Sequence, residues 1–125
     1  GYTERWHLTG NIKSGDKYIR SGILPCIAMT LDEHCLIIKK DSGLRFDESI
    51  DDDCSFHWYG TDICLSAYQQ GMNCYVINNF LHHLSDNPNR DDNFKKAEKW
   101  IVNKWTGKSK FKRIYTTCCG KGLRL

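Results

Sequence analysis

Phe56-His57-Trp58-Tyr59-Gly60-Thr61-Asp62-Ile63-Cys64-Leu65 opens the segment that decides how this chain folds. It runs into Ser66-Ala67-Tyr68-Gln69-Gln70-Gly71, then an apolar stretch, then His82-His83-Leu84-Ser85. Cys64, Ala67, Tyr68 and Gly71 recur at i, i+3, i+4 and i+7, the spacing of one buried helical face. A helix is therefore expected over 61–70, with Thr61 capping its start and a left-handed Gly71 ending it. A strand over 72–77 follows. This order sets an aspartate at a helix mouth and a histidine past a strand end. Those are the places where α/β folds gather ligands.

Working outward, residues 1–22 are polar and Gly-rich and read as an N-terminal arm, with Trp6 and Tyr18 as isolated aromatic anchors. Cys35-Leu36-Ile37-Ile38 reads as a buried strand over 35–39, and Gly43 as a turn. Residues 78–90, rich in Asn and Asp, read as a loop. Asp91 opens a second helix to about Trp105, whose apolar stripe is Phe94, Ala97, Ile101 and Trp105. Residues 106–125 form a basic tail with a weak strand over 114–118. The fold class is α/β, a mixed sheet with packed helices. The organisation is an arm (1–22), an α/β domain (23–105) and the tail (106–125).

Bulk properties narrow the classes. The 125 residues suit one domain or a piece of a larger one, and a net charge of +3 is too small to argue for nucleic acid. No apolar run approaches the length of about 18 residues that a membrane span needs, and no signal peptide is visible. Seven cysteines, none in a CxxC pair or at zinc spacing, read as reduced thiols in a cytoplasmic compartment.

Each chemical candidate has two readings. Asp62 is either a helix-start acid favoured by the dipole or a carboxylate aimed into a cleft to take a proton from a hydroxyl. Gly60 before it lets backbone approach a ligand. His83 is a surface side chain or a metal or phosphate ligand. His57, flanked by aromatics, is packed or catalytic. Asp51-Asp52-Asp53 is a solvated acidic loop or an oxygen cluster for a divalent cation. The tail 108–113 is a solvated basic edge or a contact for phosphate or an acidic surface. Cys118-Cys119 is a vicinal pair, poorly shaped for a disulfide.

Phe56-His57-x-Tyr59-Gly60-x-Asp62-Ile63-Cys64-Leu65, Gly71 and His83-x-Ser85 together resemble the C-terminal half of family 2-type glycosyltransferases of GT-A fold. The likeness is to the bacterial capsular and lipopolysaccharide branch. Thr30-Leu31-Asp32-Glu33, Phe46-Asp47-Glu48 and the trailing Phe94…Lys104-Trp105 extend it over roughly 24–105. The resemblance implies an acceptor-binding half. Asp62 would be the catalytic base and His83 the histidine near the metal, with His57, Trp58, Tyr59 and Gly60 on the substrate. It implies a nucleotide-diphospho-sugar donor and a saccharide or lipid-linked acceptor, with peripheral membrane association as an open possibility. A divalent Mn or Mg ion is expected for the full-length enzyme, and none on this chain alone. The sequence departs from the family where the usual base aspartate falls on Gly60. Either Asp62 serves in its place or this branch works differently. The competing readings are a non-catalytic carbohydrate- or protein-binding module derived from the same fold and a small metal- or thiol-dependent protein.

Overall fold

The computed structural model describes residues 1–5, 7–50, 54, 57–84, 91–118 and 122–125. Trp6, Asp51-Asp52-Asp53, Phe56, Ser85 and Cys119 lie outside the described residues. The elements in chain order are β1 (Gly10–Ser14), β2 (Lys17–Ser21), β3 (Cys26–Ala28), α1 (Tyr59–Gln69), β4 (Cys74–Val76), β5 (Leu81–His83), α2 (Asp92–Trp105), β6 (Arg113–Tyr115) and β7 (Gly122–Arg124). A 3₁₀ turn lies at Lys40–Ser42 and ends on Gly43 at φ 74°.

The α/β class holds, in three small sheets rather than one. The described strands form a three-stranded sheet of order β2-β1-β5 and two antiparallel pairs, β3 with β4 and β6 with β7. The expected N-terminal arm is instead a hairpin. Ser14 faces Lys17 across a two-residue Gly15-Asp16 turn, and Gly15 takes φ 53°. Parallel pairing of β1 with β5, Ser14 opposite His83, ties this hairpin to the segment read as a loop. The strand expected over 35–39 is absent. Leu36 and Ile38 pack inward without ladder partners, while Cys35 and Ile37 face solvent. Four apolar residues alternate as a strand would, but among the described residues no strand pairs with them.

Helix α1 occupies the centre. All of Gly60 to Leu65 and also Ala67 and Tyr68 are buried, because the helix is packed on two sides. Leu65 joins Trp58, Phe94, Ala97, Ile101, Trp105 and Ile114 in one core. Ile63, Cys64, Ala67 and Tyr68 join Cys74 in a second. The helix ends as its sequence demands. Gly71 at φ 76° lets its N–H reach the Tyr68 carbonyl at 3.1 Å, and the Met72 N–H reaches that of Ala67 at 2.9 Å. Its start departs from expectation. The N-cap is Trp58, left-handed at φ 69° and without a side-chain cap. Thr61 lies inside the helix, its hydroxyl 2.9 Å from that of Thr116.

Helix α2 follows its sequence closely. The Asp91 carboxylate accepts from the Phe94 N–H at 2.9 Å, and the four stripe residues are those buried. The tail joins the core. Ile114 on β6 is fully buried, and Leu123 and Leu125 pack against the same cluster. Among the described residues no helix is long and apolar enough to cross a membrane.

Candidate functional site

The first turn of α1 separates two cavities. The smaller, about 310 Å³, is lined by Phe46, Asp47, Glu48, Ile50, His57, Tyr59, Asp62 and Trp100. The larger is an open groove of about 1410 Å³ that takes in the loop after β3, the face of β1 and β5, and the flank of α1. Tyr59 and His57 border both.

Asp62 sits on the floor of the smaller cavity, 2 % exposed, with both carboxylate oxygens in use. Trp105 donates its indole N–H to Oδ1 at 2.7 Å, and the Lys104 ammonium donates to Oδ2 at 2.8 Å. Lys104 also donates to Asp47 at 2.5 Å and lies 4.9 Å over the Trp100 ring. The Lys104 contact, with help from Ser49, lowers the Asp47 carboxyl to about 2. Helix α1 is thus stapled to α2 and to the loop carrying Phe46-Asp47 through one ammonium. Tyr59 and Phe46 meet edge to face at 5.8 Å on the cavity wall.

His83 lies on β5 rather than in a loop. Its Nδ1 is 3.3 Å from the Ser14 hydroxyl, and its ring packs on that of His34 at 3.9 Å between centroids. His34 in turn bonds Asp32 at 2.5 Å. Burial lowers the His34 pKa, against the pull of Asp32 and with a further push from His83. His83 borders the groove and Asp62 the smaller cavity, so the helix-mouth aspartate and the histidine line different cavities. The strand expected over 72–77 is shorter, with β4 spanning three residues, and β5 pairs with β1. Among the described residues no three His, Cys, Asp or Glu side chains converge as a metal site.

The remaining expected residues divide. Tyr59 borders both cavities, and its hydroxyl donates to the Glu33 carbonyl at 3.3 Å. His57 is half-buried and meets Phe94 edge to face at 5.2 Å. Trp58 is fully buried in the core, tilted against Phe94 at 5.5 Å, and offers no face to a ligand. Its indole N–H meets no acceptor among the described residues.

Gly60 reveals the residue that sequence reading passed over. Its N–H, left open by the uncapped Trp58, donates to Glu33 Oε1 at 3.1 Å. A Cβ on Gly60 would stand 2.5 Å from Glu33 Cγ, so the glycine makes room for that side chain. The Cys118 thiol donates to the same carboxylate at 3.6 Å. Burial raises the Glu33 carboxyl to about 7, and nearby Asp32 adds to this while the Gly60 N–H and Cys118 oppose it. Burial and the Glu33 charge push the Cys118 thiol up to about 12. The one signal in the sequence was Asp32-Glu33-His34, three titratable residues in a row directly after an apolar run.

No family model matches the chain, and no solved structure matches it. Among curated proteins it is similar to "ATP synthase subunits region ORF 6" of Fuscovulum blasticum, 33% identical over 86 residues that make up 69% of this chain and 33% of that protein. The chain thus spans about a third of that relative's length.

Proposed function

We propose that this chain is the acceptor-side part of a glycosyltransferase, holding a saccharide hydroxyl for attack on a nucleotide-diphospho-sugar. The observation that carries the reading is the cavity at the start of α1. Aromatic walls (Phe46, Tyr59, Trp100) face carboxylates (Asp47, Glu48, Asp62) across about 310 Å³. Rings of this kind cover the C–H faces of a pyranose while carboxylates accept from its hydroxyls, and the volume falls at the low end of small-ligand pockets. The resemblance of the 24–105 segment supports the same class.

In the reaction the acceptor oxygen forms a bond to the anomeric carbon. The bond from that carbon to the diphosphate oxygen breaks and its electron pair leaves with the diphosphate. The hydroxyl proton passes to a carboxylate. Asp62, with both oxygens engaged, holds Lys104 and shapes the cavity floor. Donor binding, and the Mn or Mg ion expected with it, belong in this reading to further polypeptide.

The test is binding. Methyl glycosides of glucose, galactose, mannose and N-acetylglucosamine are titrated against the chain, following Trp fluorescence and amide shifts. At least one is expected to bind and to perturb Trp100 and Tyr59. UDP-, GDP- and dTDP-sugars with Mn²⁺ are expected to bind poorly. Micromolar affinity for a nucleotide sugar would refute the acceptor-side reading, and no glycoside binding at all would refute the saccharide reading. The non-catalytic module, which shares the cavity, binds saccharide without any proton acceptor.

A further inference from the structure

We propose that Cys64 and Cys74 form a redox-active dithiol on the wall of the larger groove, oxidised by hydrogen peroxide to a disulfide that bridges α1 and β4. The inference is independent of the saccharide reading. The local fold brings the two sulfurs together. Cys64, Ala67 and Tyr68 share one buried face of α1. Gly71 turns the chain back, and the Met72 N–H returns to the Ala67 carbonyl at 2.9 Å. Met72 is thereby held one helical turn from Cys64. Burial then alternates from Met72 to Val76, so Met72 and Cys74 share the inner side and pack in the same core as Cys64. The Cys74 Sγ ends 3.9 Å from the carbonyl oxygen of Cys64, and the two thiols hydrogen-bond to each other.

The surroundings suit the chemistry. Both cysteines border the groove, so a small oxidant has an approach that their low exposure denies to a bulky reagent. Hydrogen bonding from Cys64 lowers the Cys74 thiol, while the same bond and burial raise Cys64. Cys74 is therefore the attacking sulfur and Cys64 the resolving one. The Cys74 thiolate bonds to one peroxide oxygen and the O–O bond breaks, leaving a sulfenic acid. The departing hydroxide takes up the proton that Cys74 released and becomes water. The Cys64 sulfur then bonds to the Cys74 sulfur as the S–O bond breaks. The hydroxyl leaves with the Cys64 proton as a second water. Two electrons have passed from the sulfurs to the peroxide, and a dithiol reductant returns them. The bridge ties the flank of α1 to β4 along the groove.

Two buried cysteines that only fill space would stay thiols, so the experiment reads bond formation in the folded chain. The reduced chain is treated with hydrogen peroxide under native conditions, blocked with N-ethylmaleimide in denaturant and cut with chymotrypsin. Cleavage after Leu65 and Tyr68 separates the two cysteines unless they are bridged. Mass spectrometry is expected to find the Cys64 and Cys74 peptides joined, lighter by two hydrogen atoms, and parted again by dithiothreitol. In Cys64→Ala the Cys74 sulfenic acid is expected to accumulate and to be trapped by dimedone. In Cys74→Ala, Cys64 is expected to remain a thiol. Cys54, as buried as Cys64 but in the other core, is the internal control and is expected to stay reduced. Recovery of both Cys64 and Cys74 as maleimide adducts, at a peroxide dose that oxidises the exposed Cys35, overturns the proposal. So does a bridge that forms only when peroxide is added in denaturant, or oxidation of Cys54 as fast as that of the pair.

Discussion

Removing the Asp62 carboxylate tests whether α1 is held mainly by one buried staple. In Asp62→Ala, the Trp105 indole N–H, 3% exposed, loses its acceptor at 2.7 Å. A buried donor left without a partner costs about 1–3 kcal/mol. Lys104 loses one of its two carboxylates but keeps Asp47, and its side chain remains 25% exposed. Its share therefore falls well under the roughly 3–5 kcal/mol typical of breaking a fully buried pair, at about 1–2 kcal/mol. Together these give a loss of about 3 kcal/mol, which for a chain of this size lowers Tm by about 12 °C. Asp62→Asn keeps an acceptor for the indole and loses only the ion pair, so its cost is about 1 kcal/mol. Urea unfolding followed by far-ultraviolet circular dichroism measures both. An Asp62→Ala loss below about 1 kcal/mol, or equal losses for Ala and Asn, refutes the reasoning, because the indole contact is the difference between them.

Three further outcomes are expected. Glu33 has a folded pKa of about 7 against 4.5 for an ordinary glutamate. Its contribution to stability is therefore complete below pH 4.5 and is lost as pH rises to about 7, by about 3 kcal/mol. Glu33→Gln removes that loss, so the variant gains on wild type across this window in urea unfolding, and parallel curves would refute the raised pKa. Gly60→Ala, despite a better helix former, destabilises by about 1–3 kcal/mol through the 2.5 Å contact with Glu33 Cγ, and adding Glu33→Gly restores the loss; a neutral Gly60→Ala measured in the same way refutes the contact. Of the six described cysteines, all free, only Cys35 is exposed, so a thiol reagent on the folded chain labels Cys35 first and Cys54, Cys64 and Cys74 slowly, as peptide mapping would reveal; early labelling at Cys64 would contradict its burial.

What the sequence disclosed follows a physical line. Helix α2 was legible to its cap and its four core residues, because Asp91 and a 3.6-residue apolar period are local signals that tertiary context only reinforces. The end of α1 was legible for the same reason, since Gly71 must be left-handed. Its beginning was not. The residue satisfying the Gly60 N–H comes from Glu33, 27 positions away, and no local pattern announces a distant cap. The β1–β2 hairpin was hidden by polarity: Gly10-Asn11-Ile12-Lys13-Ser14 has too little apolar alternation, although the Gly15-Asp16 pair between facing residues is a turn signal that could have found it. The apolar run over 35–39 misled in the opposite direction. Hydrophobicity predicts burial, which Leu36 and Ile38 achieve, but it does not supply the neighbouring edge that makes a strand.

The same distinction bears on the site. Local reading chose Asp62 because acids at helix starts are either dipole partners or reactive groups. Tertiary packing decides between those roles by what occupies the oxygens. At Asp62 a cation and an indole N–H engage the two oxygens. At Glu33 the partners are backbone N–H groups at the start of α1 and a weakly donating thiol that reaches both oxygens. Neither carries a charge to hold the carboxylate ionised, so burial prevails and the group remains poised near neutrality. Two carboxylates on either side of one helical turn thus sit in different surroundings, one paired with an ammonium and an indole N–H and the other raised by burial to about 7.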